Sequence, residues 1–123
     1  GSVLPISEAA ARFAAAPDET APPVVIDALF GAGLSRPIEG EVADLLASLA
    51  ASPAAVGAVD VPSGVSGDDG AVMGMAAPAM LTVSFFRPKP GHCVGATTRL
   101  QGTELCQTVC THEMFVSVIF TNA

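Results

Sequence analysis

The clearest apolar run is Val24–Phe30, reading Val-Val-Ile-Asp-Ala-Leu-Phe. Near-continuous β-branched and aliphatic residues suit a strand covered on both faces, as in a parallel sheet. One acid, Asp27, interrupts it. After a turn at Gly31–Pro37, Val42, Leu45, Leu46 and Leu49 fall at i, i+3, i+4 and i+7. That spacing is one stripe of an amphipathic helix, predicted over Ile38–Ala51, with Glu39 and Glu41 near its positive end. Ala54–Val61 is a second apolar strand and again reaches an acid, Asp60; Met80–Phe86 is a third. Upstream, Ser7–Ala16 reads as a short helix with Ser7 as N-cap and Glu8 in the first turn, stopped by Pro17. The acidic, proline-rich stretch 17–23 reads as a loop.

Strand, helix and strand within 24–61 make a βαβ unit, so the two strands should be parallel with a right-handed crossover. The chain from Ser7 to Phe86 therefore reads as part of an α/β layered domain. Beyond Arg87-Pro88-Lys89-Pro90-Gly91 the periodicity fades, and only Phe115–Phe120 looks like a strand. No internal repeat is visible.

Composition narrows the partners. The chain has 123 residues, enough for one domain or part of one, and half of them are apolar with no Trp, no Tyr and six Phe. The core must come from Ala, Val, Leu and Ile, hence from thin layers. A net charge of −7 with five basic residues argues against nucleic acid and anionic membranes as partners. No apolar run approaches the roughly 20 residues of a membrane span, and no charged-then-apolar leader opens the chain. The initial Gly1-Ser2 reads as a tag-cleavage scar. Three cysteines without paired spacing point to a reducing, cytoplasmic setting.

Chemistry concentrates at two strand ends. An acid inside an apolar strand is costly unless paired, and the Gly31-Ala32-Gly33 turn beyond Asp27 bares backbone N–H groups. Asp60 lies at the carboxyl end of the second strand, with Ser63 just past it. Ligands of parallel α/β sheets bind at that edge. The ordinary reading is that such acids cap turns, and a lone Gly-x-Gly is a weak signal. What favours a ligand is that two acids are expected near each other at one edge. Carboxylates, a hydroxyl and open carbonyls suit a hard cation better than zinc, and Arg36 with the turn N–H groups suits a phosphate.

Other chemistries fit less well. His92, Cys93, Cys106, Cys110 and His112 invite a zinc reading, but no Cys-x-x-Cys is present and Thr111-His112-Glu113-Met114 lacks a second histidine. Ser63 sits in Pro-Ser-Gly, not in the Gly-x-Ser-x-Gly elbow of a hydrolase. Lys89 between prolines reads as part of a rigid loop, with a phosphate contact as the lesser alternative.

Three segments resemble the second half of the NAD(P)H-hydrate epimerase (YjeF N-terminal) domain family, together covering roughly residues 24–92. They are Val-Ile-Asp-Ala-Leu-Phe-Gly-Ala-Gly-Leu-Ser-Arg-Pro (25–37), Ala-Val-Asp-Val-Pro-Ser-Gly-Val-Ser-Gly-Asp-Asp-Gly (58–70) and Thr-Val-Ser-Phe-Phe-Arg-Pro-Lys-Pro-Gly-His (82–92). The resemblance implies a Rossmann-like, three-layer parallel sheet with flanking helices. It implies interconversion of the R and S epimers of hydrated NADH or NADPH, a repair reaction using a potassium ion. By motif, Asp27 would be a potassium ligand and the catalytic acid/base, and Ser63 the second potassium ligand. Gly31, Ala32, Gly33, Leu34, Ser35, Arg36 and Pro37 would form the loop binding the hydrated dinucleotide, and Asp60 would contact it.

The family's Asn-Asn-Gly-Gly-Asp-Gly loop and its first strands and helices have no counterpart in this chain, and residues 93–123 depart from the family's ending. The expectation is a single, truncated domain over 1–123 with a divergent 93–123 segment. Two functions follow: an epimerase or its inactive remnant, and a noncatalytic α/β fragment that binds a dinucleotide or packs against copies of itself. A half-domain with an uncovered sheet edge or face predicts a homo-oligomer.

Overall fold

The computed structural model describes residues 3–15, 20, 22–85, 88–92, 103–104, 109–111 and 114–118. In chain order these form α1 (Ile6–Ala14), β1 (Val24–Asp27), α2 (Glu41–Ala51), β2 (Ala55–Val59) and β3 (Leu81–Phe85). A 3-10 turn at Pro90–His92 follows, then β4 (Thr103–Glu104), β5 (Val109–Thr111) and β6 (Met114–Val118). β1, β2 and β3 are parallel, with Asp27 level with Ala58 and Val59 level with Val83. The α/β architecture is thus the expected one, a three-stranded parallel sheet with flanking helices. Past β3 the sheet becomes mixed: β4 pairs parallel with β3, whereas β6 runs antiparallel to β3 and carries β5. The strand read at Phe115–Phe120 is β6, set one residue earlier, and residues 119–120 lie outside the described residues. β4 and β5 are too short to show an alternation in sequence.

Several boundaries move for local reasons. Ser7 does not cap α1: the helix is entered from Pro5, with no side-chain cap, and the Pro5 carbonyl accepts the Ala9 N–H at 3.1 Å. Proline's fixed φ suits that entry, so Ser7 already lies inside the helix; the expected end, Ala16, lies outside the described residues. α2 begins at Glu41 rather than Ile38 because the left-handed Gly40 cannot belong to the helix; the Ile38 N–H is instead donated to the Met73 carbonyl at 2.9 Å. Gly40, at φ 65°, then turns the chain into the helix. β1 stops at Asp27, where the Leu29 N–H folds back to Asp27 Oδ1 at 3.4 Å.

Leu46 and Leu49 of α2 are buried with Val56, Ala58, Ile38, Ala77 and Ala79, and Phe13, Val25, Leu34 and Val42 pack against them. α1 lies against α2. Fully burying one leucine is worth roughly 2 kcal/mol, so the stripe in α2 anchors this layer to the sheet. One expectation fails here: β1 is not covered on both faces. Val24 is 78% and Ile26 66% exposed, while Asp27 on the other face is 4% exposed. The helix layer takes the Val25 side, and the Val24–Ile26 side carries no cover from the described residues.

Residues 61–79 contain neither helix nor ladder strand, yet Val61, Val65 and Ala77 are fully buried. The segment folds back on itself through the Val65–Val72 bridge and the Met73 N–H donated to the Gly64 carbonyl at 2.6 Å. Gly64 has φ 92°, and a Cβ there would lie 1.9 Å from the Met75 carbonyl oxygen. Only glycine fits, and that fit seats Ser63 beside β1.

Candidate active site

The parallel register brings the two acid-tipped strands side by side. Asp27 is buried, and Ser63 reaches it across the sheet edge. The Ser63 N–H donates to Asp27 Oδ2 at 2.7 Å and its hydroxyl donates to Asp27 Oδ1 at 2.5 Å. Ser63 Oγ in turn accepts the Phe30 N–H at 3.0 Å, and the Phe30 carbonyl oxygen lies 3.4 Å from it. The side chain of one strand end, the loop after the next and the backbone leaving β1 thus meet at one point.

All the described donors to Asp27 are neutral: two from Ser63 and the Leu29 N–H. Burying a carboxylate without a cationic partner is costly. The Asp27 carboxylate, Ser63 hydroxyl and Phe30 carbonyl are hard oxygens of the kind that alkali and alkaline-earth cations take, so this donor set fits such an ion. Among the described residues no group of three or more His, Cys, Asp or Glu is placed to hold a metal. Cys93, Cys106 and His112 of the zinc reading lie outside the described residues.

The second acid is arranged differently. Asp60 Oδ2 accepts the Ala32 N–H at 3.0 Å, and Oδ1 accepts from Lys89 Nζ at 2.5 Å. Ser84 Oγ lies 3.5 Å from the same Oδ1 and 3.3 Å from Lys89 Nζ. Asp60 and Lys89 are part-buried, their side chains 17% and 25% exposed. The two acids therefore do not face one another unaided. Asp27 is held by Ser63, and Asp60 is neutralised by Lys89 while it clasps the loop.

That loop, Gly31–Pro37, is closed by the Leu34 N–H donated to the Gly31 carbonyl at 3.3 Å. Ala32 and Leu34 are half-buried, and Gly31, Gly33, Ser35, Arg36 and Pro37 are exposed. Two clefts of about 340 Å³ each flank it and share Phe30, Leu34 and Arg36. Gly31, Gly33 and Ser35 line one, and Pro37, Ile38, Glu39 and Val42 the other. Arg36 forms no ion pair among the described residues, which leaves its charge to face a cleft.

Lys89, Ser84 and His92 are the neighbours that a reading of the strand ends misses. Lys89 stood out only as a lysine between prolines, and its contact is with Asp60, 29 residues away. His92 is 2% exposed and sits against the Asp60 backbone. Burial lowers its pKa from the ordinary histidine value, with the neighbouring Lys89 charge adding in the same direction against the Asp60 contacts.

Parallel strands ending in acids, with a glycine loop across their carboxyl ends, give the architecture of a Rossmann-like α/β domain, a class whose ligands bind at that edge. The chain belongs to a particular family of that class, YjeF-related protein N-terminus, whose model matches residues 4–91. The match reaches upstream of residue 24 and takes in α1. Over 68 residues the chain is 52% identical to a protein of Limosilactobacillus fermentum named NAD(P)H-hydrate epimerase, covering 55% of this chain and 33% of that protein. It is 47% identical over 79 residues to the bifunctional NAD(P)H-hydrate repair enzyme Nnr of Thermofilum pendens, covering 64% of this chain and 15% of that one. A third relative, the NAD(P)H-hydrate epimerase of Weissella koreensis, is 38% identical over 80 residues, covering 65% of this chain and 36% of that protein. The chain therefore spans about a third or less of the length of these curated relatives.

Proposed function

We propose that this chain carries the acid/base centre and substrate loop of an NAD(P)H-hydrate epimerase, acting on the R and S epimers of hydrated NADH or NADPH with a potassium ion at Asp27 and Ser63. The observation that carries this reading is the Asp27–Ser63 pair, a buried carboxylate and a buried hydroxyl bonded together at the foot of a cleft-lining glycine loop. The names of the relatives support the substrate class.

In this reading Asp27 takes up and returns the proton that inversion at the hydrated carbon requires, and Ser63 fixes the carboxylate's orientation. The backbone N–H groups of Gly33 and Ser35 and the Arg36 guanidinium bind the dinucleotide's phosphates, and Asp60 contacts the substrate from the loop's other side. A potassium ion held by the oxygens of Asp27, Ser63 and Phe30 would offset the buried charge and fix substrate oxygens. Epimerisation of hydrated NADPH, followed on the parent chain and on Asp27→Ala, tests the assignment. A rate in the parent that Asp27→Ala abolishes is the expected result; equal rates in both would remove Asp27 from the chemistry.

A second, noncatalytic reading has its own support. Among the described residues β1 is an edge of the sheet, and Val24 and Ile26 on it are exposed. A free edge with an apolar face favours association of copies of this chain. Among the described residues no helix is long and apolar enough to cross a membrane. A cytoplasmic setting agrees with the unpaired cysteine spacing.

A further inference from the structure

The turn at Lys89–His92 makes contacts that the epimerase reading leaves unused. His92 Nδ1 lies 2.7 Å from the Lys89 backbone nitrogen, and Nε2 lies 2.8 Å from the Asp60 carbonyl oxygen. A backbone N–H only donates, so Nδ1 must be the bare nitrogen; a carbonyl only accepts, so Nε2 must carry the proton. Together the two bonds admit one form of the ring, the neutral Nε2–H tautomer. An imidazolium would turn an N–H against the Lys89 N–H and lose that bond.

What the ring grips is an unusual piece of backbone. Asp60 has φ 73°, and among the described residues no other non-glycine has positive φ. Such a conformation is disfavoured for any residue with a Cβ and must be held from outside. The Asp60 N–H is donated to the Val83 carbonyl at 2.7 Å, and its own carbonyl accepts from His92. Held this way, Asp60 points its carboxylate at the Ala32 N–H of the glycine loop. The turn can dock this closely because of Gly91, whose N–H is donated to the Gly67 carbonyl at 2.8 Å. A Cβ at Gly91 would lie 2.3 Å from the Ser66 carbonyl oxygen.

We propose that His92 is a positioning residue: as the neutral Nε2–H tautomer it locks the left-handed Asp60 and so holds Ala32 and the Gly31–Pro37 loop in place. The charged groups acting on the ring are the Asp60 carboxylate and the Lys89 ammonium, and burial keeps it neutral. As an account of a substrate loop the proposal rests on the epimerase reading; the tautomer and the anchor do not.

The test is an imidazole nitrogen NMR spectrum of the whole chain against pH, with His112 told apart by the signal lost in His112→Gln. A neutral ring protonated on Nε2, titrating below the ordinary histidine value together with the Ala32 and Asp60 amides, is the expected result. In His92→Gln, which keeps a donor near the Nε2 position, Ala32 amide exchange stays slow. In His92→Asn, which keeps only a group near Nδ1, it speeds up about tenfold, the scale of one buried hydrogen bond. An Nδ1–H tautomer or an imidazolium at neutral pH would overturn the proposal, and so would unchanged Ala32 exchange in a folded His92→Asn. The parent spectrum decides by itself where the variants do not fold. Because it is recorded without ligand, failure of the parent to bind hydrated NADPH would count against the epimerase reading alone.

Discussion

Ser63 serves two neighbours at once, donating its hydroxyl proton to Asp27 and accepting the Phe30 N–H. Ser63→Ala should therefore strip a buried carboxylate of one donor and orphan a backbone N–H, destabilising the fold by about 2 kcal/mol in urea denaturation. Its neighbour Gly64 is more constrained still. Gly64→Ala places a methyl group against the Met75 carbonyl in a left-handed conformation and should cost more than about 3 kcal/mol or prevent folding. A Tm near that of the parent would refute the packing around the Pro62-Ser63-Gly64 turn. His92 gives the pH dependence. Its folded pKa lies below the ordinary value, so the unfolded chain binds the proton more readily. The stability His92 provides is complete above the unfolded value of about 6.5 and is lost as pH falls below it, levelling off once the folded pKa is passed. Chemical denaturation of the parent between neutral and mildly acidic pH should show this fall, and His92→Gln should flatten it.

At the scale of elements, β3 places Thr82 in the core, 3% exposed, with a hydroxyl that has no hydrogen-bond partner among the described residues. Thr82→Val keeps the shape and removes the orphaned group, so it should raise stability by about 1 kcal/mol; a loss of that size would mean the hydroxyl is satisfied. The elements also show what was legible in the chain. The α2 stripe and the apolar runs of β1 and β2 declare themselves, because burial on one side imposes a period. Asp27 and Ser63 were legible as strand-end motifs. The Asp60–Lys89–His92 cluster was not, since its members lie 29 and 32 residues apart and meet only because segment 61–79 leads into β3, whose parallel run beside β2 carries the chain back to Asp60. The left-handed backbone of Asp60 leaves no mark in composition, and the exposed face of β1 was misread because apolar residues look the same covered or bare.

For the molecule as a whole, the open side of β1 is the feature with consequences. Val24 lies on the sheet's edge strand and is 78% exposed, so a charge there should block strand addition without entering the core. The parent should run above monomer mass in solution and Val24→Lys should return it to a monomer; a monomeric parent would remove the self-association reading. The proposed cation-dependent catalytic centre at the ends of β1 and β2 is tested by the rate of hydrated NADPH epimerisation as potassium is titrated. A saturable rise is expected in the parent chain and is expected to be absent in Ser63→Ala. A parent rate that does not respond to potassium would contradict the proposal.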